Sequence, residues 1–240
     1  MMRRDRESGF TLIELMLSMA FVGLLMLAIT YCIIQVSTTY NRGLTLRQVN
    51  DAGRSVSDDI KRAIARSPGS SDVRVINTGA NGGRLCTGEY TYIWNTPAGL
   101  AANPSTLANR YNTGTPTIDS VPIRLVRVSD RNSVLCTSPI GPITNATGAV
   151  DLLSVSSNAD ITDRPLAVHS LTIQSIPGPA ASTVVNRGLT AWRVNFRLGT
   201  SEVAALNAST CRPPNDSTGG ANQTYCAINN FSFTVTKNIR

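Results

Sequence analysis

Residues 10–36 read FTLIELMLSMAFVGLLMLAITYCIIQV, and from Leu15 to Val36 the run contains no charged residue. Built as a helix, that uncharged run is about 33 Å long, enough for a hydrocarbon core of about 30 Å. A secretory signal has a shorter apolar region, about 7–15 residues, and then a small-residue cleavage site. This run is longer and leads into Gln35, Ser37, Thr38 and Thr39. It reads as a membrane-spanning helix. Arg3, Arg4 and Arg6 precede it and Arg42 and Arg47 follow it, so positive charge favours a cytoplasmic N-terminus by a narrow margin.

Outside this run the chain has a different character. The 240 residues are 42% hydrophobic and 15% charged with a net charge of +7, and the polar part is rich in Ser, Thr, Asn and Gly. So low a charged fraction argues against a disordered chain and against a long solvent-exposed coiled coil. A single His makes a multi-histidine metal site impossible. Cys32 lies in the apolar run, leaving Cys86, Cys136, Cys211 and Cys226 downstream. Four cysteines in a polar region beyond an anchor suggest two disulfides in an oxidising compartment. Three pairings are open, and sequence order favours Cys86–Cys136 with Cys211–Cys226. On chain-entropy grounds the smaller loop would stabilise by about 3 kcal/mol and the larger by about 4 kcal/mol. No C-x-x-C spacing occurs, which leaves a zinc knuckle or a thioredoxin-like redox site without support.

One carboxylate, Glu14, interrupts the apolar stretch near its start. An ionised carboxylate in a membrane helix is costly, and such residues usually have a partner or a function. Its surroundings are not arbitrary: a short basic leader ends in Gly9, and Phe10, Thr11, Leu12, Ile13 and Glu14 follow. In these residues and the long apolar helix after them the chain resembles the type IV pilin family, including the pseudopilins of type II secretion. The resemblance implies a leader from Met1 to Gly9, cleavage between Gly9 and Phe10 by a prepilin peptidase, and N-methylation of Phe10. A glycine suits such a junction because it gives a protease close access to the backbone. The resemblance also assigns Glu14, with Thr11 beside it, to assembly: the carboxylate meets the N-terminal ammonium of a neighbouring subunit. The partners implied are other pilins or pseudopilins and the inner-membrane assembly platform, in a homo- or hetero-polymer. Major pilins commonly carry a helix-breaking proline in the apolar half; here no proline occurs from residue 10 to 67, which leans toward a minor pilin or a pseudopilin.

Beyond the membrane run the helix is expected to continue. Val49, Val56, Ile60 and Ile64, with Ala52 and Ala63 beside them, recur at helical spacing and make one apolar stripe. Gly43 and Gly53 read as tolerated interruptions or bends, and Ser67-Pro68-Gly69 ends the element. The region after it reads as mostly β. Alternation is cleanest in AWRVNFRL, with Trp192, Val194, Phe196 and Leu198 on one side, and in NNFSFTVT, with Phe231, Phe233 and Val235 inward. Further strands are expected at 72–77, 89–94, 122–128, 150–155 and 166–176, with long loops at 95–120, 137–149, 177–188 and 199–224. The expected organisation is a leader (1–9), a transmembrane or filament-core helix (10–36), its amphipathic continuation (37–67) and a disulfide-braced β-rich head (68–240). The fold class is α+β, with a long N-terminal helix packed by its second half on a mostly antiparallel sheet. The large head and long helix resemble most nearly the PilW-like or J-type minor class.

Catalysis has little to stand on. His169 lies in an expected strand and reads as a structural histidine, and no G-x-S-x-G, H-E-x-x-H, P-loop or dinucleotide glycine pattern occurs. Asp58, Asp59, Asp160 and Asp163 read as solvated surface acids. No catalytic residue, metal site or cofactor is expected. The positive charge could favour DNA or an anionic surface, with Arg124, Arg127, Arg131, Arg193 and Arg197 as the best cluster. The reading that results is a structural subunit of a type IV pilus or related filament, made in the inner membrane with its head outside. Its alternatives are a type II secretion pseudopilin, and a single-pass binding or adhesion protein that never polymerises.

Overall fold

The computed structural model describes residues 11–67, 73–77, 81–101, 110–112, 121–137, 143–144, 149–153, 165–176, 190–207, 210–213 and 225–237. Helix α1 (Leu12–Arg66) comes first, followed by β1 (Arg74–Asn77), β2 (Gly82–Cys86) and β3 (Tyr90–Asn95). Next are α2 (Pro97–Ala101), β4 (Arg110–Asn112), β5 (Val121–Pro122), β6 (Leu125–Ser129) and α3 (Val134–Thr137). The last elements are β7 (Ile143–Thr144), β8 (Val150–Asp151), β9 (Leu166–Ile176), β10 (Thr190–Thr200), β11 (Leu206–Asn207), β12 (Thr210–Cys211) and β13 (Ile228–Lys237). The chain divides into two compact units, Met1–Asn41 and Arg42–Arg240.

In the first unit the helix is apolar on every side and its side chains face outward. Leu12, Phe21, Leu27 and Val36 are each at least 65% exposed. A helix hydrophobic all round belongs in lipid or in a bundle. Its most apolar 18-residue window has a mean hydropathy of 2.4, and among the described residues this is the one helix long and apolar enough to cross a membrane.

In the second unit the remaining turns of α1 become one-sided. The buried positions are Thr45, Val49, Gly53, Val56, Ser57, Ile60, Ala63 and Ile64, recurring every three or four residues. The expected stripe is therefore the packed face, with Ala52 half-buried at its margin. It forms one apolar cluster with residues of two antiparallel sheets, including Leu85, Tyr92, Trp94, Leu125, Val168, Val194, Phe196 and Leu198. The larger sheet has the order β1-β2-β3-β6-β8, and the second β13-β10-β9. This is an α+β arrangement, a long helix packed on antiparallel sheet, as the sequence predicts.

The sheets differ in how their faces are used. In the larger one, β2 is buried at every position and β3 at all but its first, so both of its faces are covered there. The second has one wet face. Trp192, Val194, Phe196 and Leu198 are buried while Arg193 is exposed and Asn195 and Arg197 are half-buried, as the alternation in β10 predicts. In β13, Val235 is buried and Phe231 and Phe233 are half-buried against the core.

Three features depart from the sequence reading. Strand β2, GGRLC, was not expected, because two glycines and an arginine give no alternation. Gly83 faces Trp94 across the ladder, and a Cβ there would lie 2.5 Å from the indole, so the missing side chain makes room for the largest ring in the core. Gly53 is not simply an interruption of α1: a Cβ would lie 2.0 Å from Cζ of Phe231, whereas nothing stands within 4 Å at Gly43. Finally, short elements occupy the expected loops, namely α2 and β4 within 95–120, β7 within 137–149, and β11 and β12 within 199–224.

Candidate assembly segment and its supporting head

The start of α1 is held by its own side chains. Thr11 is the last residue before the helix, and the Leu15 amide donates to its carbonyl at 3.2 Å. The Thr11 amide donates to Glu14 Oε2 at 3.4 Å, and the Thr11 hydroxyl donates to the same oxygen at 3.2 Å. Glu14 thus reaches back over the first turn, the carboxylate half of a capping box, where its negative charge also meets the positive end of the helix dipole. The sequence signal for this cap is Thr-x-x-Glu ahead of an apolar run. Gly9 and Phe10 lie outside the described residues. Cys32 is a free, exposed thiol within the apolar part of α1.

Where α1 meets the sheets, one polar cluster links helix to strand. Asp59 forms an ion pair with Arg127 on β6 and accepts a hydrogen bond from the Tyr92 hydroxyl at 2.8 Å. Tyr92 also donates to the Asp59 carbonyl at 3.2 Å, and the Arg127 guanidinium lies 5.0 Å from the centre of the Tyr90 ring. Burial, and then the Asp59 carboxylate, push the Tyr92 hydroxyl far above its ordinary value, so it stays a hydrogen-bond donor. Asp59 is therefore not the solvated acid expected: its side chain is only 13% exposed. Asp58 does face solvent, beside Lys61 at 3.3 Å. Asp160 and Asp163 lie outside the described residues. Two further links join α1 to β13: Asn229 donates to Asn50 at 2.6 Å, and the Lys61 ammonium stands 5.1 Å from the Phe233 ring centre.

Cysteine pairs brace this unit. Cys86 at the end of β2 is bonded to Cys136 in α3, with Cα atoms 6.2 Å apart, and Cys211 is bonded to Cys226 at 5.7 Å. Helix α3 is too short to hold itself, and its ends are met by charged groups. Asp130 accepts from the Val134 and Leu135 amides at 2.8 and 3.0 Å and from the Thr91 hydroxyl at 2.9 Å. Arg84 donates to the Leu135 carbonyl at 2.6 Å and Arg74 to the Cys136 carbonyl at 3.0 Å. Burial lowers the Arg84 pKa, with Asp130 opposing the shift. Asp130 is a site that periodicity does not reveal; its one sequence signal is an Asp ahead of a short polar turn, where such a residue caps the backbone.

The remaining candidates are separated by the fold. Arg127 belongs to the Asp59 cluster; half-buried Arg124 precedes β6, its pKa lowered by burial against the charge of Asp151; Arg193 and Arg197 are on β10 in the other sheet. The five arginines do not share one sheet. His169 is the extra residue at a bulge between β9 and β10, and its Nε2 lies 3.1 Å from the Thr200 carbonyl. Burial lowers its pKa, the Thr200 carbonyl opposing and Arg197 adding to the shift. Among the described residues, no group of three or more His, Cys, Asp or Glu could hold a metal ion. What the arrangement offers is a capped apolar rod and a cross-braced head.

Residues 4–30 match the family model for the prokaryotic N-terminal methylation motif. No curated protein and no solved structure gave a significant match. The match takes in Gly9, Phe10, Thr11 and Glu14, so the N-terminal segment carries a prepilin-type methylation motif, consistent with a structural pilin or pseudopilin subunit.

Proposed function

We propose that the chain is a minor pilin-type subunit of a type IV pilus or of the related secretion pseudopilus, cut after Gly9 and polymerised through its N-terminal helix. The observation that carries this reading is the methylation motif running directly into an exposed helical segment that is uncharged from Leu15 to Val36. Such a surface is solvated by lipid before assembly and by neighbouring helices afterwards. Absence of proline from residue 10 to 67 and the large β-rich region favour a minor component over a major one.

Cleavage between Gly9 and Phe10 by a prepilin peptidase replaces a neutral peptide bond with an ammonium. In an apolar filament core that ammonium and the Glu14 carboxylate of a neighbouring subunit attract strongly, while desolvation offsets much of the gain. The pair therefore acts mainly on register, since a subunit docked one step out leaves two buried charges without partners. Before the cut no ammonium exists at Phe10, which orders processing ahead of assembly. The head stays on the outer side of the membrane, where its cysteines are oxidised.

The test is intact mass and N-terminal sequencing of the wild type and of Glu14→Ala, from native membranes and from sheared filaments. Wild type is expected to begin at N-methyl-Phe10 in both fractions. Glu14→Ala is expected to be processed normally and to fall at least about tenfold in filaments, the loss of one buried charge partner. An uncut wild-type chain in cells with active prepilin peptidase would leave a single-pass anchor as the better account. Normal incorporation of Glu14→Ala would end the registry role.

A further inference from the structure

The wet face of the β13-β10-β9 sheet has a composition that simple solvation does not require. Strands β9, β10 and β13 read LAVHSLTIQSI, TAWRVNFRLGT and INNFSFTVTK, with no Asp or Glu in any of them. On the outward side Gln174, Arg193 and Thr234 stand in one cross-strand row, and Thr172, Asn195 and Ser232 in the next. Thr172, Gln174, Arg193, Ser232 and Thr234 are exposed, and Asn195 is half-buried. Arg197 is four residues along β10 from Arg193, about 13 Å at strand rise, on the same side. The result is a face of amides and hydroxyls on strands of 11, 11 and 10 residues, with no Asp or Glu in those strands and with the guanidinium of Arg193 exposed on it. The aromatic residues of β10 and β13 point to the opposite side, into the core.

We propose that this face binds an acidic polysaccharide. A guanidinium matches a carboxylate with paired hydrogen bonds, and sugar hydroxyls both donate and accept, as do the amides and hydroxyls of Gln174, Asn195, Thr172 and Ser232. A phosphodiester backbone offers acceptors alone, which would leave the amide carbonyls of Gln174 and Asn195 unmatched. Stacking of unpaired bases would need exposed aromatic rings, and this face has none among its described residues. The absence of carboxylates from these three strands removes a repulsion that would oppose a polyanion, and the net charge of +7 adds a favourable long-range field. The inference does not rest on filament assembly, because the surface belongs to the individual subunit.

The experiment is binding of the detergent-solubilised full chain to polygalacturonate, with neutral dextran and duplex DNA as comparison polymers. Three variants accompany the wild type: Arg193→Gln, Thr172→Glu and Thr234→Glu, all at exposed positions, each checked for an unchanged thermal transition. The wild type is expected to bind polygalacturonate and not dextran, and each variant to bind it roughly tenfold more weakly. Tighter binding to DNA than to polygalacturonate would overturn the ligand class. No binding to either polyanion, or equal binding by wild type and all folded variants, would overturn the surface.

Discussion

His169 shows how one side chain can couple stability to pH. Its ring is half-buried at the β9–β10 bulge, and burial holds its pKa below the ordinary 6.5. Above that ordinary value both the folded and the unfolded chain carry a neutral ring, and the residue adds no pH dependence. As pH falls through 6.5 the unfolded chain takes a proton that the folded chain still refuses, so stability is lost until the lower folded value is passed. Glutamine can still donate toward the Thr200 carbonyl and does not titrate. Thermal melts of wild type and His169→Gln at pH 7.5 and pH 5 are therefore expected to diverge, the wild type losing more on acidification. Parallel losses would mean that acid sensitivity comes from other groups.

At the level of the element, α1 shows how two glycines ten residues apart in one helix can have opposite packing roles. Helix propensity alone favours alanine over glycine by about 1 kcal/mol. At Gly43, exposed and with open space around it, Gly43→Ala is expected to gain up to that amount. At Gly53 the new methyl would drive into Phe231, whose ring is itself stacked on Phe196 at 5.0 Å. Overpacking of this kind costs about 1–3 kcal/mol, enough to outweigh the propensity gain. Chemical denaturation of the two variants is expected to show shifts of opposite sign; shifts of the same sign would show that Phe231 has room to move. The same contrast explains what the sequence disclosed. The stripe Val49, Val56, Ile60 and Ile64 was legible because periodicity reports which side of an element is buried. The close approaches at Gly53 and Gly83 were not, because the partner rings come from residues distant in sequence or across a strand pair. Asp59 was hidden for a related reason: an acid beside another acid on a charged helix looks solvated until Arg127 and Tyr92 arrive from the sheet.

For the molecule as a whole, the division at Asn41/Arg42 separates an exposed apolar helical segment from a unit with its own core. Every buried position of α1 lies at Thr45 or beyond, and all four bonded cysteines belong to the second unit. A fragment of residues 42–240 is therefore expected to be water-soluble, to carry both disulfides by intact mass, and to melt within a few degrees of the full chain in detergent. Aggregation, or a much lower melting temperature with both bonds formed, would show that the first unit contributes to folding the head. The motif at the N-terminus was the part most readable from sequence because its chemistry is local. The sheet order and the placement of Arg193 on a wet face needed long-range pairing.

The capped first turn bears on the timetable of maturation. Among the described residues, the hydrogen bonds that close it come from Thr11, Glu14 and Leu15, and the proposed scissile bond joins the two residues before Thr11. All three residues lie on the C-terminal side of that bond, so a cut there would leave these hydrogen bonds in place. On the proposed maturation the new N-terminus would therefore stand one residue ahead of an intact cap, and the chain would carry that capped turn unchanged from the membrane to its neighbours.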